Sequence, residues 1–170
     1  MKRRFLVVVL PLLLVGGVAG VVWLAVSGGP AAAGTASDLA KSDDADLVKY
    51  VQGGAALNLR LLAVEVLRKR DDSTGSLVEI VKGSDLATAA YGCAALGRQG
   101  SSDAKAALQD LVTNTKLGTE VRKAAMSAIA AHWKEAEDLK WFEKQTGSDS
   151  ALKSHGEWLG TCVYEKQWGR

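Results

Sequence analysis

Two histidines, His132 and His155, and two cysteines, Cys93 and Cys162, are the side chains of this chain best suited to proton transfer, nucleophilic attack or transition-metal ligation. A zinc site needs three or four such ligands in one place, and close pairs such as HxxxH or CxxC usually supply them. Neither spacing occurs. No Ser-His-Asp order, glycine-rich phosphate loop or zinc-protease motif accompanies them. The run Asp43-Asp44-Ala45-Asp46 has the acidic density of a cation loop. It lacks the glycine and the downstream glutamate of a calcium site, and reads better as negative charge at a helix N-terminus. The residues thus point away from an enzyme, with no catalytic, metal or cofactor site expected.

The elements that carry these residues are helical. Leu61–Arg68, Ala90–Gly97 and Ala124–Ala131 share one apolar pattern, and Leu67, Leu96 and Ile129 stand 29 and 33 residues apart within it. Repeats of that length mark stacked architectures whose units bury their apolar faces only against neighbours. Both prolines, Pro11 and Pro30, precede the repeats, so the strongest helix breaker is missing from Ala31 onward. The expected helices are Asp46–Gln52, Ala56–Arg70, Ser76–Lys82, Asp85–Leu96, Asp103–Thr113, Glu120–Ala131, Glu137–Gln145 and Ser150–Tyr164. Ser84 and Thr119 are the expected caps at two of the starts, and Gly83 and Gly97 the expected stops. Val121, Ala124, Ala125, Ala128 and Ile129 show the helical stripe, and no segment shows the period-2 alternation of a strand. The fold class is all-α.

Within each repeat one helix is rich in small residues, as in Ala87, Ala89, Ala90, Gly92, Ala94 and Ala95, which lets neighbouring helices approach closely. Ala94 is expected at such a contact. The other helix carries larger side chains, among them Leu77, Ile80, Leu108, Leu111, Leu139 and Phe142. His132 falls on the face of Val121, Ala125 and Ile129, at the edge of the core, and His155 shares a face with Ala151, Trp158 and Cys162. Cys93 and Cys162 lie two repeat units apart, roughly 16–20 Å at two helix spacings. A disulfide does not span that distance unless the tail folds back, and two small buried thiols are expected.

The N-terminus is of another kind. Phe5–Ser27 is a run of 23 residues without a charge, preceded by Lys2, Arg3 and Arg4. As a helix it spans roughly 34 Å, enough for a bilayer core. The basic flank keeps residues 1–4 in the cytoplasm and puts the rest of the chain outside it. A cleaved signal peptide is the competing reading, and the apolar run is longer than a signal h-region requires. Residues 28–43 read as a flexible linker rich in small residues. The net charge of +2 falls to −1 once the three leading cations are set aside, which gives no reason to expect nucleic acid as a partner.

Val121-Arg122-Lys123-Ala124-Ala125-Met126-Ser127-Ala128-Ile129, with Ala94-Ala95-Leu96-Gly97 in the unit before it, resembles the short HEAT-like repeats of about 30 residues also found in phycobilisome lyases. The resemblance covers residues 44–146, with 147–170 as a capping helix and tail. It departs from the family at Leu67-Arg68, where a Leu-Gly pair is usual. It implies a short right-handed α-α superhelix whose concave face carries Lys49, Glu79, Lys82, Lys105, Gln109, Lys140 and Lys144.

Trp133, Trp141, Trp158 and Trp168 crowd the last 38 residues, whereas residues 24–132 hold no tryptophan. Such rings close the end of a solenoid or form a binding patch, with Trp141 and Trp168 the expected exposed members. The function expected from these readings is a membrane-anchored, extracytoplasmic scaffold that binds another protein. Lys49, Lys82, Lys105, Lys140, Lys144, Trp141 and Trp168 are its candidate contacts, without cofactor or metal. A cofactor-handling, lyase-like module is the alternative by analogy.

Overall fold

A computed structural model describes residues 30–133 and 135–161. The basic N-terminus, the anchor expected at 5–27, Cys162 and Trp168 lie outside the described residues. Among the described residues every regular element is an α-helix, and no helix is long and apolar enough to cross a membrane.

The helices are α1 (Pro30–Lys41), α2 (Asp44–Gln52), α3 (Leu57–Arg68), α4 (Thr74–Gly83), α5 (Leu86–Gln99), α6 (Ser102–Thr113), α7 (Thr119–His132), α8 (Ala136–Ser148) and α9 (Ser150–Leu159). Successive helices pair as hairpins. Helices α3, α5, α7 and α9 lie side by side in one layer, with α1 against α3 at the near end. Helices α2, α4 and α6 form the second layer, and α8 packs on α9. The arrangement is compatible with a helical repeat. Contacts are closer in the odd-numbered layer: α5 lies extensively against α3 and α7, whereas α4 touches α6 over a smaller area.

Side-chain size accounts for this difference. A Cβ built on Gly97 would stand 2.6 Å from Cδ2 of His132, and one on Gly92 would stand 2.8 Å from a Val81 methyl. A larger residue would press on Val81 of α4 at position 92, and would displace the exposed His132 ring of α7 at position 97. Between the layers, Leu47, Leu67, Leu77, Ile80, Leu96, Leu108, Leu111, Met126, Ile129, Phe142 and Leu152 are fully or almost fully buried. Each such aliphatic side chain contributes about 1.5–3 kcal/mol of transfer free energy.

Several expectations change. The stretch expected to be a structureless linker holds α1 from Pro30 to Lys41. It is tied down by Leu39, which is buried, and by Arg70. The Arg70 guanidinium donates to the Ser42 and Ala40 carbonyls at 2.7 and 3.2 Å and pairs with Asp44 on α2. The last carbonyls of a helix lack internal donors, so one arginine both caps α1 and joins it to α2. Asp85, not Ser84, caps α5, accepting from the Ala87 and Thr88 N–H groups at 3.1 and 3.2 Å. Gly118 precedes α7, and Thr119 is already helical. Gly97 does not end α5; Gly100 does, in the left-handed conformation at φ 70° that favours glycine. Ala94 is half-buried on the outer side of α5, while Ala89, Cys93 and Ala95 are the fully buried positions.

Candidate functional site

Charged links repeat along the stack. Arg60, the fourth residue of α3, pairs with Asp85 at the N-cap of α5. Arg122, the fourth residue of α7, pairs with Asp149 at the N-cap of α9. Between them the equivalent positions are Ala89 and Gly118, which have no polar side chain. That step relies on the close α5–α7 packing instead. The paired arginine and the cap N–H groups hold both aspartates charged. Burial works to raise the Asp85 carboxyl, and the Thr88 N–H and Arg60 outweigh it. Asp149 is lowered first by Arg122.

The lysines expected to form one surface differ in availability. Lys49 (α2), Lys82 (α4) and Lys140 and Lys144 (α8) are exposed, and Lys49 sits 3.6 Å from Asp46 of its own helix. Lys105 is committed to structure. Its ammonium faces Oδ1 of Asp138, a residue only 2% exposed, whose Oδ2 accepts the Glu135 N–H at 3.1 Å. This pair ties α6 to the start of α8, two elements that otherwise scarcely meet. Trp141 is half-buried against the core, and Trp158 is the open ring of α9 at 53% exposure.

A contact that no sequence motif announced joins α7 to α9. Ser127 Oγ lies 2.9 Å from His155 Nε2, and the imidazole stacks on Trp158 with centroids 5.8 Å apart. Burial pushes His155 below its ordinary value, against the support of the Lys123 carbonyl. A serine beside a neutral imidazole is half of a nucleophilic pair. The backbone partner of this histidine is a carbonyl rather than an orienting carboxylate, so the group reads as a clasp between helices. The Cys93 thiol is buried and pushed up to about 12 by desolvation, the condition of an inert core cysteine.

The outward side of the odd layer has a distinct composition. On α5 its residues are Ala87, Ala90, Tyr91, Ala94 and Arg98; on α7 they are Glu120, Lys123, Ala124, Ser127 and Ala131. A solvated helix face is ordinarily covered by long charged side chains. Here small ones leave a shallow floor, with Tyr91 on one side and Trp158 on the other helix end of the row. At the C-terminal ends of α3 and α5 this floor meets a cleft of about 410 Å³, lined by Arg68, Lys69, Arg70, Asp71, Arg98, Gln99 and Ser101.

Glu65 organises the junction. Its Oε1 accepts from Arg68 Nε and Nη2 at 2.8 and 2.5 Å. Its Oε2 accepts from Arg98 Nη2 at 3.3 Å and from the Tyr91 hydroxyl at 3.4 Å. The Arg98 guanidinium lies 5.2 Å from the Tyr91 ring centroid, within cation–π range. Partial burial works to raise the Glu65 carboxyl, and the Arg68 hydrogen bonds with the charges of Arg68 and Arg98 carry it below the ordinary carboxylate range.

Comparison with protein families, with characterised proteins and with solved structures finds no match for this chain.

Proposed function

We propose that this chain is a membrane-tethered scaffold: a short, right-handed HEAT-like α-solenoid, held outside the cytoplasm by the apolar segment 5–27, that docks another protein. The observation that carries this reading is the outward side of α5 and α7. There Ala90, Ala94, Ala124, Ser127 and Ala131 leave small side chains between the charged residues Arg98, Glu120 and Lys123, the last two paired with each other. Two neighbouring helices with small outward residues form a shallow trough into which a partner's side chains fit. Closer packing in the odd layer supports a stack that bends toward this side. The trough then lies on the concave surface, the reverse of the arrangement that the resemblance implies, and concave surfaces are the usual binding surfaces of repeat stacks. On this reading the exposed lysines Lys49, Lys82, Lys140 and Lys144 decorate the opposite layer and act in solubility more than in docking.

Site-specific photo-cross-linking of the full-length protein in its own membrane tests this. A photoreactive residue at Ala94 or Ala124 is expected to capture one dominant protein, and the same residue at Lys140 none. Capture from Lys140 with none from Ala94 would move the interface to the lysine-bearing helices. Absence of any adduct at all three positions would remove the docking reading.

A further inference from the structure

We propose that the cleft at the C-terminal ends of α3 and α5 receives side-chain carboxylates from an acidic segment of the docked partner. This rests on the docking reading above and adds to it the partner's chemistry. Four cations line the cleft, Arg68, Lys69, Arg70 and Arg98, against one carboxylate, Asp71. Two of them have structural work. Arg70 is turned toward α1 and Asp44, and Arg68 grips Glu65 through Nε and Nη2. Arg98 lends Glu65 only one amino group, at 3.3 Å. Lys69 is exposed and makes no ion pair among the described residues. Asp72, also exposed, follows Asp71, so the excess of positive charge belongs to the cleft lining itself, where four cations meet one carboxylate.

Glu65 demonstrates the ligand chemistry. Its carboxylate is held by two guanidinium groups and a phenol, the set of donors that an incoming carboxylate would use. Arg98 lies against Tyr91, so its remaining N–H donors are oriented before a ligand arrives, and less freedom is lost on binding. The modest surplus of charge suits single carboxylates spaced along a peptide better than a compact dianion such as phosphate. Arg98 lines the cleft and lies over the Tyr91 ring, which relates the cleft to the outward face of α5. A segment lying along the trough would bring its acidic residues to Arg98 and Lys69.

Titration of the full-length protein, reconstituted in nanodiscs, with an octaglutamate peptide and separately with inorganic phosphate tests the proposal. The peptide is expected to bind more weakly as salt is raised, and at least tenfold more weakly to the Lys69→Gln/Arg98→Gln double variant. Phosphate at the same concentration of charge is expected to bind negligibly. Lys69→Glu serves as the second variant, because an exposed side chain can be reversed without disturbing the core. Peptide affinity unchanged in both variants, or saturation of the cleft by phosphate alone, overturns the proposal. The photo-adduct from Ala94 separates the two readings. An adduct kept at full yield in the double variant sinks the carboxylate cleft and leaves docking intact, whereas no adduct in the unmodified protein sinks docking itself.

Discussion

Arg122 is 6% exposed, a burial that arginine tolerates only when its donors are used. Its Nε donates to the Val112 carbonyl at 2.8 Å, near the end of α6, and its amino group pairs with Asp149 at the start of α9. Three helices therefore depend on one side chain. Arg122→Leu keeps the apolar bulk but leaves the Val112 carbonyl without a donor, and a loss of about 1–3 kcal/mol is expected. Urea unfolding measures it; a midpoint unchanged from the parent would refute the assigned role. His155 supplies a pH dependence. The fold favours its neutral ring, while the unfolded chain takes up a proton near the ordinary value of 6.5. Protons are thus bound more readily by the unfolded state, and stability falls as pH drops below about 6.5 through the lower folded value. Glu120 favours the protonated ring and Lys123 opposes it, so the charges nearby offset each other in part. Thermal unfolding followed from about pH 7.5 to 5 should show the decline, and His155→Gln should flatten it. An equal decline in that variant would assign the effect to other groups.

At the scale of the element, glycine and alanine determine how near the helices lie. Gly97 and Gly83 form an instructive pair. A Cβ at Gly97 would meet the His132 ring at 2.6 Å and the Ala128 methyl at 3.4 Å, both on the neighbouring α7. A Cβ at Gly83 would meet only the amide end of Gln52, at 2.5 Å, and that exposed side chain can swing aside. Gly97→Ala must displace the exposed His132 ring and brings the Ala128 methyl into contact, so a cost of about 1 kcal/mol, the low end of overpacking, is expected. Gly83→Ala is expected to be neutral or mildly stabilising, because alanine is the better helix former. Chemical denaturation of the two variants side by side checks the contrast. A tolerated Gly97→Ala would mean that the His132 ring gives way as easily as Gln52 does.

For the whole molecule, stability should be graded along the stack. Helix α5 packs against α3, α4, α6 and α7, whereas α1 rests mainly on α3, and α8 on α9. In a repeat architecture each unit is supported by its neighbours, so terminal units open first. Hydrogen exchange on the intact protein should find the slowest amides in α5 and the inner part of α7. The fastest should lie in α1 and α8. Arg70→Gln should accelerate exchange in 36–41 selectively, since it removes the donor to the Ala40 and Ser42 carbonyls. Uniform exchange rates along the chain would indicate a single cooperative bundle instead of stacked units.

The sequence by itself determined the all-helical class and the approximate location of eight of the helices. The stripe at Val121, Ala125 and Ile129 follows the helical period, and burying that stripe requires no knowledge of the partner helix. Exact ends were less legible. Asp85 competes with Ser84 for the same cap, and only the path of the backbone decides which oxygen meets the free N–H groups. Helix α1 escaped because a run of small residues has no apolar stripe. Its order comes from Leu39 and from Arg70, 30 residues beyond Ala40, and local sequence does not register such a contact. The same reason hid the candidate site. Glu65 lies on α3 and Tyr91 and Arg98 on α5, Ser127 on α7 and His155 on α9, and their spacings match no short motif. Helix-on-helix packing places them together, because α3 lies against α5 and α7 against α9. Residue types and period thus settled what the elements are, and only tertiary packing decided which side chains share a surface.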